Sequence, residues 1–209
     1  MTVACVLRSG GDFDADWVHA LCAGVAEHLS QEHRFVCLTD MDVPGVETIP
    51  LEHGWPGWFS KMGLFRPFLL DGLNLYLDLD TVPVGPLDIF ASYAGGFAML
   101  NDLYQGRKRA QSGVMLLRPS AATAAIWLDW TQDPEGHMRR FRGDGEWLDR
   151  HTEPDRLQDL YPGRIVSLKR EGRNGPPEGC SLVCGHGRPR LSDPKAGWAH
   201  ELWRERCAA

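Results

Sequence analysis

The chain has 209 residues, with 22 Lys+Arg against 28 Asp+Glu and a formal net charge of −6. An apolar share of 43% beside 24% charged residues excludes a mainly disordered chain and supplies enough material for one packed core. No segment approaches the roughly 20 apolar residues of a membrane-spanning helix, and the acidic balance argues against a protein that grips nucleic acid through phosphates alone.

In chain order, Thr2 to Leu7 is β-branched and apolar and breaks at Ser9-Gly10-Gly11, a first strand and its turn. It lacks the basic start and longer apolar run of a signal peptide, so a cytoplasmic protein is expected. From Asp14, a capping residue, a helical face carries Trp17, Val18, Leu21, Cys22, Val25 and Leu29. Arg34 to Leu38 and Val46 to Ile49 read as two further strands, giving the β-α-β-β opening of an α/β sheet with crossovers.

A short helix with Ser60 near its start and Lys61 within it is predicted to bend or break at Pro67 and to stop at Gly72. The segment 73–82 then alternates strictly. Leu73, Leu75, Leu77 and Leu79 share one face of a strand; Asn74, Tyr76, Asp78 and Asp80 share the other. Leu87 to Tyr93 reads as a helical turn. Gly96 to Leu100 and Gln111 to Arg118 read as strands, joined by a polar loop that carries Arg107 to Arg109. Pro119-Ser120 opens an Ala-rich helix through Trp130, and a second helix starts near Asp144. Arg164 to Lys169 and Ser181 to Cys184 are late strands, and a surface helix closes the chain from Ala196 to Arg206.

The six cysteines, Cys5, Cys22, Cys37, Cys180, Cys184 and Cys207, are spread through apolar runs, and most of them read as small buried hydrophobes. Cys180-x3-Cys184-x-His186 has half of a zinc spacing, with no second pair beside it. Two basic clusters, Arg107 to Arg109 and Arg139, Arg140 and Arg142, read as solvated faces or a local track for a polyanion.

Asp78-Leu79-Asp80 is the sharpest chemical signal. Two carboxylates two residues apart on a strand point the same way, with Cα atoms about 6–7 Å apart. Near an apolar face such a pair repels and is poorly solvated. Hard oxygen ligands of this kind suit Mg²⁺ or Mn²⁺.

Taken together, Tyr76 to Thr81, the preceding Lys-containing helix, Gln111-Ser112-Gly113-Val114, Gly143-Asp144-Gly145 and His186-Gly187-Arg188-Pro189-Arg190 resemble the GT-A nucleotide-sugar glycosyltransferases. The order of these elements is most similar to the glycogenin-like, family-8 type and its small bacterial and phage relatives. The resemblance implies one GT-A domain over residues 1–209, a three-layer α/β fold with a mixed, mainly parallel sheet. It implies Mn²⁺ or Mg²⁺ held by Asp78, Asp80 and His186, and a nucleotide-diphosphate sugar, UDP-linked, as co-substrate. Lys61 would contact donor phosphate or sugar, Arg190, or else Arg188, would help neutralise the leaving diphosphate, and Asp144 would lie near the sugar's reactive carbon. Leu7, Arg8 and Ser9 would receive the nucleoside. Leu79, Asn101, Asp102, Gln111, Ser112 and Gly187 would complete the donor site. The reaction implied is sugar transfer to an acceptor hydroxyl with retention.

Two departures stand out. Gly145 occupies the place of a family Gln, and Pro189-Arg190-Leu191 lacks a second proline. The acceptor is open among saccharide, lipid-linked glycan, protein and modified nucleobase in DNA. Rival readings are a non-catalytic nucleotide-sugar-binding module and a nucleotidyltransferase. The latter would require a Gly-rich basic phosphate loop after the first strand, which Arg8-Ser9-Gly10-Gly11 matches poorly.

Overall fold

The structure, a computed structural model, describes residues 1–208. Its opening is β1 (Thr2–Leu7), α1 (Ala15–His28), β2 (Arg34–Thr39) and β3 (Glu47–Pro50). Asp14 caps α1 by accepting from the Asp16 backbone N–H, and the apolar stripe from Trp17 to Leu29 is buried, with Cys22 at its margin. β4 (Asn74–Leu77), β5 (Thr81–Pro83), β6 (Phe97–Asp102) and β7 (Gly106–Leu117) follow. Then come α2 (Ala121–Trp130), α3 (Pro134–Arg140), α4 (Asp144–His151), β8 (Asp155–Arg156) and α5 (Leu157–Leu160). The chain closes with β9 (Ile165–Ser167), β10 (Leu182–Cys184) and α6 (Trp198–Cys207).

The main sheet has seven strands in the order β3-β2-β1-β4-β7-β6-β8. Its first four are parallel; β7 runs antiparallel to both β4 and β6, and β8 lies parallel to β6. Alternation divides the central strands between two apolar layers. Val3, Cys5, Leu7, Leu75 and Leu77 pack with α1 on one face; Ala4, Val6, Tyr76 and Met115 pack with Trp130 and Trp147 on the other. Strands covered on both faces read as nearly continuous apolar runs, which is why these segments stand out in the sequence. The expected three-layer α/β architecture is observed.

Three local readings need correction. The segment 57–65 is a 3₁₀ helix that ends before Pro67, since Gly57 and Gly63 weaken an α-helix there. Arg107 to Arg109 belong to β7: the hairpin is long and its outer end projects into solvent, so no apolar alternation marks it. α3 was not foreseen, although Asp133 caps it and Pro134 occupies its first turn.

A small second sheet, β5-β10-β9, positions the late turn. β10 is antiparallel to β5 with Cys184 opposite Thr81, and the Gly185 N–H donates to the Asp80 carbonyl at 2.7 Å. This pairing brings residues a hundred positions apart to one edge of the main sheet. A Cβ on Gly185 would lie 2.6 Å from the Asp80 carbonyl oxygen, so the close approach requires glycine.

Candidate active site

β4 ends at Leu77. Asp78 still donates its N–H to the Gly113 carbonyl at 2.8 Å, but its own carbonyl accepts from Thr81 at 2.9 Å. Asp78 and Asp80 therefore flank a turn, rather than standing along one strand as their spacing suggests. Both line an open cleft of about 340 Å³ beyond the carboxyl end of β4. Open α/β sheets bind ligands at such strand ends.

Lys61 organises the cleft floor. Its side chain is 6% exposed, and Nζ lies 3.2 Å from Asp78 Oδ1, 3.3 Å from Asp144 Oδ2 and 2.9 Å from Ser112 Oγ. Burial pulls the ammonium down, yet Asp144 and Asp78 outweigh it and hold Lys61 above its ordinary value. The Tyr76 hydroxyl donates to Asp78 Oδ1 at 2.6 Å, as their shared strand face allows.

Asp144 opens α4 and is 2% exposed. Burial pushes its carboxyl up against the pull of Lys61. Its Oδ2 lies 3.3 Å from Lys61 Nζ in a buried ion pair, with Ser112 also bearing on the carboxylate. Gly145 packs against β7: a Cβ there would come within 3.1 Å of Ser112 Oγ. The glycine has a steric basis in the approach of α4 to the strand.

On the opposite wall, Asp80 is 8% exposed, and burial together with Asp78 pushes its carboxyl up to about 7. Arg190 Nη1 donates to Asp80 Oδ2 at 3.2 Å, while its Nε lies 3.3 Å from Asp12 and its guanidinium rests 5.0 Å from the Phe13 ring centroid. Three carboxylates, Asp78, Asp80 and Asp144, thus face Lys61 and Arg190 across one cleft. The balance is negative.

His186 and Gly187 reach the same cleft on the turn after β10. The His186 ring nitrogens are engaged elsewhere, Nε2 with Ser167 Oγ at 2.7 Å and Nδ1 with the Tyr104 hydroxyl at 2.9 Å. Among the described residues, no three His, Cys, Asp or Glu side chains are grouped as a ready metal site. The expected triad is therefore not closed here, because Ser167 and Tyr104 hold the imidazole. Nothing in the sequence marked those two partners.

The remaining predicted residues divide. Asp102, Gln111 and Ser112 line the cleft, with Asp102 Oδ1 accepting the Tyr104 and Gln105 backbone N–H groups. Asn101 does not line it; it is buried on β6 and paired to Gln158 through its backbone. The Leu7 and Leu79 side chains belong to the core, so the chain can offer a ligand only backbone at those positions. Arg8 lies 3.0 Å from Asp40, and the Ser9 N–H donates to the same carboxylate at 2.8 Å, which ties the ends of β1 and β2 together. These three residues sit at the expected strand end but do not line the cleft. Arg107, Arg109, Arg139 and Arg140 pair with Asp159, Glu146, Glu135 and Asp133, so most of both basic clusters is neutralised.

The whole chain superposes on solved glycosyltransferases. GlyE from Streptococcus pneumoniae matches all of it with a TM-score of 0.75 at 15% identity, across 61% of the GlyE chain. The galactosyltransferase LgtC, solved with donor and acceptor sugar analogues, matches all of it with a TM-score of 0.67 at 12% identity, across 95% of that chain. The fold is GT-A. The bifunctional glycosyltransferase WbbM matches with a TM-score of 0.67 at 11% identity, over 49% of its length. The chain therefore spans about three fifths of GlyE and half of WbbM. It matches no protein-family model and no curated protein. In the GT-A frame the cleft lies at the strand ends where the Asp78–Asp80 turn, the start of α4 and the late His186 turn converge. Among the described residues no helix is long and apolar enough to cross a membrane.

Proposed function

We propose that this chain is a glycosyltransferase domain of the family-8 type that moves a hexose from a UDP-sugar to an acceptor hydroxyl, with retention and with help from Mn²⁺ or Mg²⁺. The observation that carries the reading is the negative balance of the cleft lining, six carboxylates (Asp78, Asp80, Asp102, Asp144, Glu146 and Asp149) against four cations (Lys61, Arg109, Arg142 and Arg190), with Asp80 pushed up to about 7 by burial and by Asp78. A divalent cation fits that donor set, since hard carboxylate oxygens suit it and its charge relieves the repulsion. Asp78 and Asp80 would hold the ion. His186 would join them after exchanging its bond to Tyr104 or Ser167. The bound ion would supply Lewis-acid stabilisation for the leaving diphosphate.

The chain's own groups have distinct tasks. Arg190, already over Asp80, offers guanidinium hydrogen bonds to phosphate oxygens. Lys61 keeps Asp144 and Asp78 in place and neutralises part of their charge. Asp144, on the cleft lining at the start of α4, would stabilise positive charge developing at the reactive carbon. The nucleoside would lie toward the ends of β1 and β2, by Arg8 and Ser9. We place the activity in the cytoplasm, in keeping with six free cysteines.

The test is release of UDP from UDP-glucose and UDP-galactose, with Mn²⁺ or with a chelator. Metal-dependent hydrolysis or transfer supports the reading. Metal-dependent binding without turnover would leave a sugar-nucleotide-binding module instead. Absence of binding across a panel of nucleotide sugars would overturn it.

A further inference from the structure

Every cleft-lining cation except one is matched by a carboxylate. Lys61 meets Asp78 and Asp144, Arg109 meets Glu146, and Arg190 meets Asp12 and Asp80. Arg142 also lines the cleft, exposed and two residues before the start of α4. Its backbone N–H donates to Glu146 and its charge acts on that carboxylate, but among the described residues its guanidinium makes no ion pair within 4 Å. The neighbouring acids are already engaged: Glu146 by Arg109 and Arg150, Asp149 by the Ala110 N–H and Arg156.

Beside it stands an aromatic surface with no partner of its own. Trp58 lines the same cleft and is 64% exposed, although most large apolar side chains of the chain are buried. Its position is built. The indole rests against Gly143, where a Cβ would come within 3.2 Å of Cε3, so glycine between Arg142 and Asp144 is what lets the ring lie there. The ring is also three residues from Lys61 on the same 3₁₀ helix, which ties it to the floor of the site. An exposed indole presents a flat apolar face to the C–H side of a sugar ring, and an unpaired guanidinium recognises a carboxylate or phosphate through paired N–H donors.

We propose that Trp58 and Arg142 form the acceptor end of the cleft, and that the acceptor is a saccharide bearing an anionic group. Its ring lies on the indole and its carboxylate or phosphate meets Arg142. This rests on the glycosyl-transfer reading and narrows its acceptor from an open list to an anionic sugar.

The test is a ligand-observed NMR titration of the intact chain in Mg²⁺ with methyl β-glucuronide, glucose 6-phosphate and methyl β-glucoside, with inorganic phosphate as a bare-anion probe. Binding of either anionic sugar about tenfold tighter than the glucoside, the scale of one charge-assisted hydrogen bond, supports the proposal. Arg142→Gln should erase that preference. Trp58→Ala should remove saturation of the ring protons, and Trp58→Phe should restore most of it, which separates loss of the aromatic face from loss of fold. Equal affinity for charged and neutral sugars, unchanged binding in Trp58→Ala, or phosphate binding as tightly as the sugars would each overturn it. Wild-type UDP-sugar hydrolysis and transfer to the bound sugar are measured separately: sugar binding with neither would sink the glycosyl-transfer reading and leave the saccharide site standing.

Discussion

Replacing Lys61 with Met tests whether the cleft floor is a balanced charge cluster. At 3.3 Å the Lys61–Asp144 attraction is worth about 5 kcal/mol at an effective dielectric of about 20. Without the ammonium, Asp144 can shed its charge by binding a proton, and that caps the loss. Holding one carboxyl protonated at pH 7 against an unfolded value near 3.9 costs about 4 kcal/mol. The gross attraction exceeds this ceiling, so protonation is the route the variant takes. Wild-type Asp144 is already pushed up by burial, which reduces the difference. We expect Lys61→Met to lose about 2–3 kcal/mol at pH 7. The sign with pH is fixed: a carboxyl whose folded value lies above its unfolded value binds more protons in the folded state. The deficit therefore shrinks as pH falls toward the unfolded value, to under about 1.5 kcal/mol at pH 5. Asp144→Asn added to Lys61→Met should recover at least half of the pH 7 loss. Urea denaturation at both pH values provides the measurement. A variant as stable as wild type, or a deficit that grows as pH falls, would refute the reasoning.

Asp144→Asn alone keeps size and donor affinity but should lower turnover by about 100-fold, since the charge matters most as the transition state develops; unchanged kcat would leave Asp144 a structural residue at the helix start. Gly185→Ala should cost about 1–3 kcal/mol and weaken metal-dependent nucleotide binding together, because the new methyl displaces the Asp80 turn; thermal unfolding beside calorimetry checks both. Arg206, 5% exposed, joins α6 to Glu27 on α1 and donates to the Pro83 carbonyl at 3.0 Å. Hydrogen bonding from Arg206 holds the Glu27 carboxyl below its ordinary value, so its modest contribution is present above the unfolded carboxyl value and is lost as pH falls through the folded one. Glu27→Gln should therefore flatten the acid limb of the stability profile, and an unchanged limb would count against the pairing.

Much of this fold is written in local patterns. The leucine alternation at 73–79 places its side chains in one apolar layer even though the strand itself stops at Leu77. Asp14 and Ser120 cap the helices they announce, and Asp144 does begin α4. The hidden parts depend on contacts distant in sequence. No local pattern says that Ser167 and Tyr104 hold His186, or that Asp40 closes on Arg8 and Ser9. Gly145 reads as a lost amide in sequence, whereas its packing against Ser112 appears only once β7 and α4 are together. Nor does any local pattern set the exposed Trp58 apart from the buried Trp55 and Phe59 beside it. Asp133-Pro134 marks the start of α3, but its charged sequence lacks the apolar stripe that announces a helix.

The most direct test of the account is calorimetric titration of UDP into the chain with Mn²⁺ and with a chelator, on wild type and Asp80→Asn. The account predicts binding that requires the metal in wild type and is lost in Asp80→Asn, with the fold intact by thermal unfolding. UDP binding of equal strength with chelator, or in Asp80→Asn with Mn²⁺, would contradict a metal bridge at the Asp78–Asp80 turn.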